Sequence, residues 1–278
     1  LERNVSHTPP TTLSPSRIES FLSCPLAFRF ASLDGLPDPP TEATTKGSLV
    51  HRALELFMEA PRGERTPGFL DQCTEAAISE YHDGPELAWL SLDETRLAAF
   101  DDDARSLARN YLTMEDPDSI ETVGLELRLE AEVGPVTLRG IIDRLERDAE
   151  GRLVVSDYKT GRTPPPAYQK KSMSGVHFYA LLCRERLGES PGSVRLLFIR
   201  SGEVLSAEPT EQAISFLTTR VSAVHSAITT ACERDDFRPK KSALCRSCAY
   251  QRWCPEFGGD PARAAEEAPV VYAGVAPR

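Results

Sequence analysis

The octapeptide VVSDYKTG, Val154–Gly161, ends an apolar run with an acid and an amine two positions apart. In an extended strand, side chains at i and i+2 share a face, so Asp157 and Lys159 emerge side by side. Taken alone this is an ion pair at a strand end, and exposed pairs contribute little. A second acid widens the chemistry. Asp143 closes the run GIID, and the turn DAEG brings the chain back into the strand that carries Asp157. Two carboxylates held close on neighbouring strands repel each other and call for a cation. A hard divalent ion such as Mg²⁺ or Mn²⁺ suits carboxylate, carbonyl and water oxygens. Lys159 would stand beside it, where its charge can stabilise an incoming anion or hold a nucleophilic water. Upstream, His51 follows Gly47 by four residues in GSLVH, so both lie on one helical face. The glycine leaves room for close approach, and the imidazole is a further ligand. A helical histidine beside apolar neighbours is, in isolation, an ordinary core or surface residue. Glu126, on the polar face of its strand, is a fifth candidate, with plain solvent exposure as the alternative.

Seven cysteines in a chain without a secretory signal point away from structural disulfides. Cys73, Cys183 and Cys232 sit in helical patterns and read as buried thiols. Cys245, Cys248 and Cys254 form CRSCAYQRWC, and Cys24 stands far upstream in FLSCPLAF. Four thiolates can bind Zn²⁺ tetrahedrally or ligate an iron–sulfur cluster.

The elements that must position these residues are legible in outline. SPSRIESFL offers a serine cap with proline at the first helical position, and a second helix runs from about Gly47 to Glu59. Helical patterns near Pro67–His82 and Asp93–Met114 form an all-helical insertion over residues 60–116. From Val123 to Val133, apolar residues alternate with Glu126, Arg128, Glu130 and Glu132, the period of a strand with one wet face. VTLRGIIDRLER and RLVVSDYKT complete an antiparallel meander. A helix to Leu187, strands at VRLLFIRS and VLSAEP and a long helix from Glu211 to Arg234 follow. The expected architecture is α/β, one domain over residues 13–263 with a cysteine segment at 240–257, between flexible ends at 1–12 and 264–278.

The 278 residues carry 42 acids against 32 lysines and arginines, a net charge of −10. That balance by itself argues against a nucleic-acid partner. It hides two basic stretches, Lys159, Arg162, Lys170 and Lys171, and Arg238, Lys240, Lys241, Arg246 and Arg252. No apolar run is long enough to span a bilayer and no signal peptide is legible, so a cytoplasmic location without membrane contact is expected. No GxxxxGK[ST] loop makes the chain its own nucleotide-driven motor.

GSLVH, GLELRLE, GIID and DYKTG, in that order and at these separations, resemble the RecB-type branch of the PD-(D/E)XK nuclease superfamily, from Ser14 to about Phe257. The four cysteines resemble its iron–sulfur members, which include the AddB nuclease domain and CRISPR-associated single-strand exonucleases. The resemblance implies a restriction-endonuclease-like core, a central mixed sheet flanked by helices. It implies that His51, Asp143, Asp157 and the carbonyl of Tyr158 bind Mg²⁺ or Mn²⁺, that Lys159 orients the water, and that Glu126 belongs to the same machinery. It favours a [4Fe-4S] cluster on Cys24, Cys245, Cys248 and Cys254, joining the N- and C-terminal segments, over zinc. Gly47, Lys170, Lys171 and Tyr179 would face DNA. One departure stands out: where the family has Gln four residues before Tyr179, this chain has Gly175. The implied activity is hydrolysis of DNA phosphodiesters, exonucleolytic at single-stranded ends, alone or fed by a separate helicase. The alternatives are a non-catalytic iron–sulfur DNA-binding subunit of a helicase–nuclease complex and a CRISPR adaptation nuclease.

Overall fold

The computed structural model describes residues 7–275, apart from the side chains at 170, 171, 174 and 176. Among the described residues, chain contacts gather two compact units, each assembled from separate stretches: the residues up to Pro39, Glu132–Arg139 and those from Phe216 onward in one, Pro40–Ala131 and Gly140–Ser215 in the other.

The first unit opens with a short strand β1 (Thr12–Leu13), helix α1 (Pro15–Ser23), the single turn α2 (Pro25–Phe28) and a π-helical turn over Arg29–Leu33. Ser14 caps α1 by accepting from the Arg17 amide, and Pro15 occupies a position where its missing N–H costs nothing. β1 pairs in parallel with Thr137 and Leu138.

The second unit holds α3 (Glu42–Glu59), α4 (Pro67–His82), α5 (Pro85–Leu90), α6 (Glu94–Tyr111), most of β2 (Glu121–Val133) and of β3 (Val136–Arg147), then β4 (Leu153–Lys159), α7 (Pro166–Leu187), β5 (Ser193–Phe198) and β6 (Glu203–Ala207). β3 and β4 pair antiparallel, with Arg144 opposite Ser156. β4 and β5 run parallel, Ser156 opposite Arg195, which requires a crossover, and α7 is that crossover. β5 and β6 are antiparallel. The sheet is therefore mixed, in an α/β framework. Thr41 and Thr44 form a reciprocal cap at the start of α3, and its stripe of Val50, Leu54 and Phe57 packs with Leu70 of α4 and Phe100 of α6 in a cluster that includes Tyr158 of β4.

The last helices, α8 (Glu211–Arg234) and α9 (Ala264–Val271), lead back into the first unit. Residues beyond 263 were expected to be a flexible tail. Instead α9 buries Ala264 and Ala268, and Trp253 donates to Glu267 at 2.9 Å. Small alanines and Pro269 within the helix hide the apolar period that would have revealed it. Among the described residues no helix is long and apolar enough to cross a membrane.

β2 departs from the simple alternation of its sequence. Ile120, just before it, is buried and Thr122 accepts from the buried Arg65, so even positions face inward at its start. Further on the odd positions Leu129, Ala131 and Val133 are buried, while Val123, expected on the apolar face, is 48% exposed. The parity switches around Glu126, which adopts a left-handed backbone with φ +41°. One such residue shifts the pleat by one, as a β-bulge does, and re-aims its side chain.

Behind β4 lies a buried ionic group. Arg144 has 0% exposure, and each of its five N–H groups has an acceptor available. Nε faces Glu146; Nη1 donates to Tyr111 and Tyr158 hydroxyls, both at 2.8 Å; Nη2 donates to Glu115 at 2.8 Å and Ser156 at 3.4 Å. Arg195 pairs with the same two acids, so two guanidiniums balance two carboxylates. Removing one partner of such a group strands the others in a poorly solvated interior. Arg144→Met should therefore lower the unfolding free energy by about 3–5 kcal/mol in urea titrations; a loss under about 1 kcal/mol would show that water reaches the group freely.

Candidate active site

The pairing of β3 with β4 sorts their side chains by face. Arg144, Glu146, Ser156 and Tyr158 alternate onto the side of the buried ionic group, and Asp143, Asp157 and Lys159 onto the other. Asp143 Oδ2 accepts from the Tyr158 backbone N–H at 2.7 Å, which fixes the carboxyl at the strand ends. Lys159 Nζ is ion-paired with Asp157 Oδ2, as the i, i+2 spacing implied. That oxygen is buried and has no well-formed hydrogen bond.

His51 arrives from α3. Its Nε2 lies 3.0 Å from the carbonyl of Tyr158, and its Nδ1 lies 3.5 Å from Asp143 Oδ2. A carbonyl can only accept, so Nε2 carries the proton of that bond. Nδ1 then turns toward a carboxylate, and when it carries only its lone pair the two acceptors face each other across a gap that a cation would fill. The Tyr158 carbonyl, expected as a metal ligand, here sets the tautomer of His51, the usual outer-shell device at metal-binding histidines. Gly47, one turn earlier, permits this approach of α3: a β-carbon there would lie 3.2 Å from Thr160 Oγ1.

Glu126 completes the group. Ligand atoms of His51, Glu126 and Asp143 all lie within 4.8 Å of one another. The left-handed residue in β2 turns this carboxylate inward, and a strictly alternating reading could only place it on the polar face. Asp157 stands outside this triplet but acts on it. Burial, then the charge of Asp157, pushes Asp143 up to about 7, against the opposing pull of His51 and of the Tyr158 N–H. Burial also raises Glu126, with His51 opposing. The centre is thus two hard carboxylates and an imidazole held together without enough positive charge. That donor set fits Mg²⁺ or Mn²⁺.

Tyr179 of α7 packs against Gly140, where a β-carbon would come 3.1 Å from its ring and 2.7 Å from Leu182. Burial first, then Asp157, Asp143 and Glu126, raise its phenol, so it stays a protonated donor facing the acids. A β-carbon at Gly175 would meet nothing within 4 Å among the described residues. Lys170 and Lys171 lie outside the described side chains. Sequence reasoning missed Arg144 and Arg195, because charged residues in strands read as solvent-facing until their cross-strand partners are known, and Glu115, because it lies in the connection after α6 where an acid reads as a loop residue.

In the first unit, Cys24, Cys245, Cys248 and Cys254 line one cavity of about 370 Å³. Each sulfur has a backbone donor: Lys240 N–H to Cys24 at 3.5 Å, Ser242 N–H to Cys245 at 3.4 Å, Tyr250 N–H to Cys248 and Glu256 N–H to Cys254. Burial and the neighbouring sulfurs push the Cys248 and Cys254 thiols up, against those amides. A cradle of four thiols with amides directed at sulfur suits a thiolate-held metal group.

The profile of the PD-(D/E)XK nuclease superfamily matches residues 12–255, so the chain belongs to that superfamily. It is a nuclease by family, a phosphodiester hydrolase. Among relatives, it is 28% identical over 160 residues, 55% of its length, to the B subunit of the ATP-dependent helicase/deoxyribonuclease of Streptococcus mutans, and spans 14% of that protein. A solved structure of a candidate exonuclease from Eubacterium rectale superposes with a TM-score of 0.51 at 14% identity, covering 87% of this chain and 88% of that one. At that distance the likeness concerns the fold.

The raised Asp143 carboxyl makes metal-free stability depend on pH. The folded protein binds this proton more tightly than the unfolded chain, whose carboxyl titrates near 3.8, so the contribution is fully present below that value and is lost as pH rises through about 7. In chelator, stability should fall between pH 4.5 and 7.5 by a component of about 2–4 kcal/mol that Asp143→Asn lacks. Parallel urea titrations of the two proteins check this, and identical pH slopes would refute it.

Proposed function

We propose that the chain is a metal-dependent DNA nuclease that acts on single-stranded ends, with its centre built from His51, Glu126, Asp143, Asp157 and Lys159. The observation that carries this reading is the convergence of His51, Glu126 and Asp143 within 4.8 Å around buried, under-neutralised carboxyls. When bound, Mg²⁺ or Mn²⁺ supplies Lewis acidity and eases ionisation of water. The residues do the rest. Asp143 and Glu126 would hold the ion through oxygens that burial has left short of solvent. His51 offers Nδ1 while its Nε2–H is locked onto Tyr158. Asp157 completes the negative wall and holds the Lys159 ammonium. Burial works against that charge, but Asp157 outweighs it and raises Lys159 above its ordinary range. Lys159 thereby meets the phosphate and orients the attacking water.

DNA as substrate and work alongside a helicase are supported by the name of the S. mutans relative, a subunit of an ATP-dependent helicase/deoxyribonuclease; action at single-stranded ends is our own reading of the family resemblance. We read the four cysteines as holding a [4Fe-4S] cluster. Among the described residues the one group of three or more ligand atoms within 4.8 Å of one another is the acidic one, so no three sulfurs approach as closely as a tetrahedral zinc, with bonds of about 2.3 Å, would draw them. The non-catalytic alternative rests on Gly175, which stands where the resembling family has a glutamine, and the set His51, Asp143, Asp157 and Lys159 speaks against it.

Two experiments decide these points. End-labelled single-stranded DNA should be degraded in Mn²⁺ by the wild type, and Asp157→Ala and Lys159→Ala should each cost roughly 10²-fold or more; equal rates in all three would remove the assignment. Anaerobically purified protein should be brown with about four irons per chain, lost in Cys24→Ala, whereas stoichiometric zinc without iron would replace the cluster by a zinc site.

A further inference from the structure

A groove of the second unit plays no part in the metal centre. It encloses about 540 Å³, and its lining includes Glu42, Lys46, Thr160, Gly161, Arg162 and Arg200. It begins one residue beyond Lys159, at Thr160, and shares with the centre both the end of β4 and the turn of α3 that precedes His51, since Gly47 faces Thr160.

Its cations are arranged. Asp103 of α6 accepts from Lys46 at 2.7 Å and takes Arg200 in a fork at 3.1 and 2.8 Å, and Arg200 Nε also reaches the Thr160 carbonyl at 3.3 Å. Lys46 further lies 5.0 Å over the Phe100 ring. One carboxylate thus orders two cations from different elements along a single wall, and Arg200, then Lys46, hold Asp103 down to about 2, so the bracket stays charged. Arg162 is exposed and forms no ion pair with a described residue. Glu42 is taken by Arg96. Lys46, Arg162 and Arg200 against Asp103 leave the groove positive on a chain whose net charge is −10, a focused field of the kind that draws anions to one place.

We propose that this groove binds the phosphodiester next to the scissile one, on the single strand that passes the metal centre. This rests on the nuclease reading and adds where the strand runs. A phosphate there would meet the free Arg162 guanidinium and the outer donors of Arg200 and Lys46, contacts that position a strand without reading its bases. Thr160 and Gly161, which line the groove, follow Lys159 directly in the chain.

The test measures binding separately from cleavage. Fluorescence anisotropy of a labelled 20-mer of deoxythymidine, in EDTA and across a range of NaCl, gives affinity and salt slope. Arg162→Ala and Arg200→Ala should each weaken binding several-fold and reduce the slope of log K against log[salt] by about 0.7, one phosphate contact on a single strand. Arg200→Lys should keep the slope, and Arg184→Ala, at a pair on α7 outside the groove, should match the wild type. Thermal melts identify any variant that fails to fold, and Arg162, exposed and without an ion pair among the described residues, is the substitution least tied to folding. Thymidine monophosphate should not displace the 20-mer at concentrations near its Kd; displacement that vanishes in Arg162→Ala would make the groove a pocket for free or terminal phosphate and overturn the proposal. Unchanged affinity and slope in both alanine variants, with Mn²⁺-dependent cleavage intact, would overturn the groove alone. Absence of cleavage by the wild type would overturn the nuclease reading first.

Discussion

A guanidinium removed from water must find an acceptor for every N–H or leave the interior, and Arg144 finds them all. The consequence reaches the other side of the sheet. Two of its donors bracket the Tyr111 and Tyr158 hydroxyls, so the Tyr158 ring is pinned on the buried face. Its backbone then serves the opposite face, giving its N–H to Asp143 and its carbonyl to His51. One residue transmits a structural ion pair into the placement of two candidate ligands. Apolar packing could hold Tyr158 as firmly, but without fixing its rotation as the paired hydroxyl contact does.

The two faces of β4 obey opposite electrostatic rules. Behind it, Arg144 and Arg195 balance Glu115 and Glu146, and the charges are satisfied internally. In front, Asp143, Asp157 and Glu126 face one ammonium, Lys159. Both sets are buried enough to lose hydration, yet only the rear set recovers that loss within the protein. Burial raises a carboxyl on each face, Glu146 behind and Asp143 in front. Glu146 has two guanidiniums at its oxygens, whereas Asp143 has a second carboxylate, Asp157, pushing it further up, as suits a site arranged for a ligand rather than for stability.

Much of this was legible because local patterns carried it. Asp157 and Lys159 share a face by strand period, Asp143 stands across a hairpin, and Gly47 and His51 lie one turn apart; each relation needs only a few residues of chain. Glu126 was legible as a candidate, but its route into the centre was not, since the sequence GLELRLE alternates without interruption and nothing in it announces a left-handed residue. Val123 fell on the wrong face for the same reason. Arg144 looked like any strand arginine, and the bracket of Lys46, Asp103 and Arg200 joins residues far apart in the chain, a contact that no periodicity encodes. The helix at Ala264 was masked by its own small residues and Pro269.

An acidic chain that handles a polyanion must separate two problems that average charge conflates. Three carboxyls face one ammonium at the centre: with all three ionised the excess is two negative charges, which Mg²⁺ or Mn²⁺ would match. Without an ion a proton on the raised Asp143 offsets part of it, so the ionised centre by itself repels phosphate. The surrounding surface cannot supply the missing attraction, because most of its arginines are already committed to acids, as Arg105 is to Glu75 and Arg109 to Asp71. Attraction must come from cations left with spare donors. Those beside Thr160 meet that condition because Asp103 holds two of them by one edge while their remaining N–H groups, and the whole of Arg162, stay available. Net charge therefore excludes little here: the sign of the field along one groove, next to one under-neutralised centre, decides what the chain can approach.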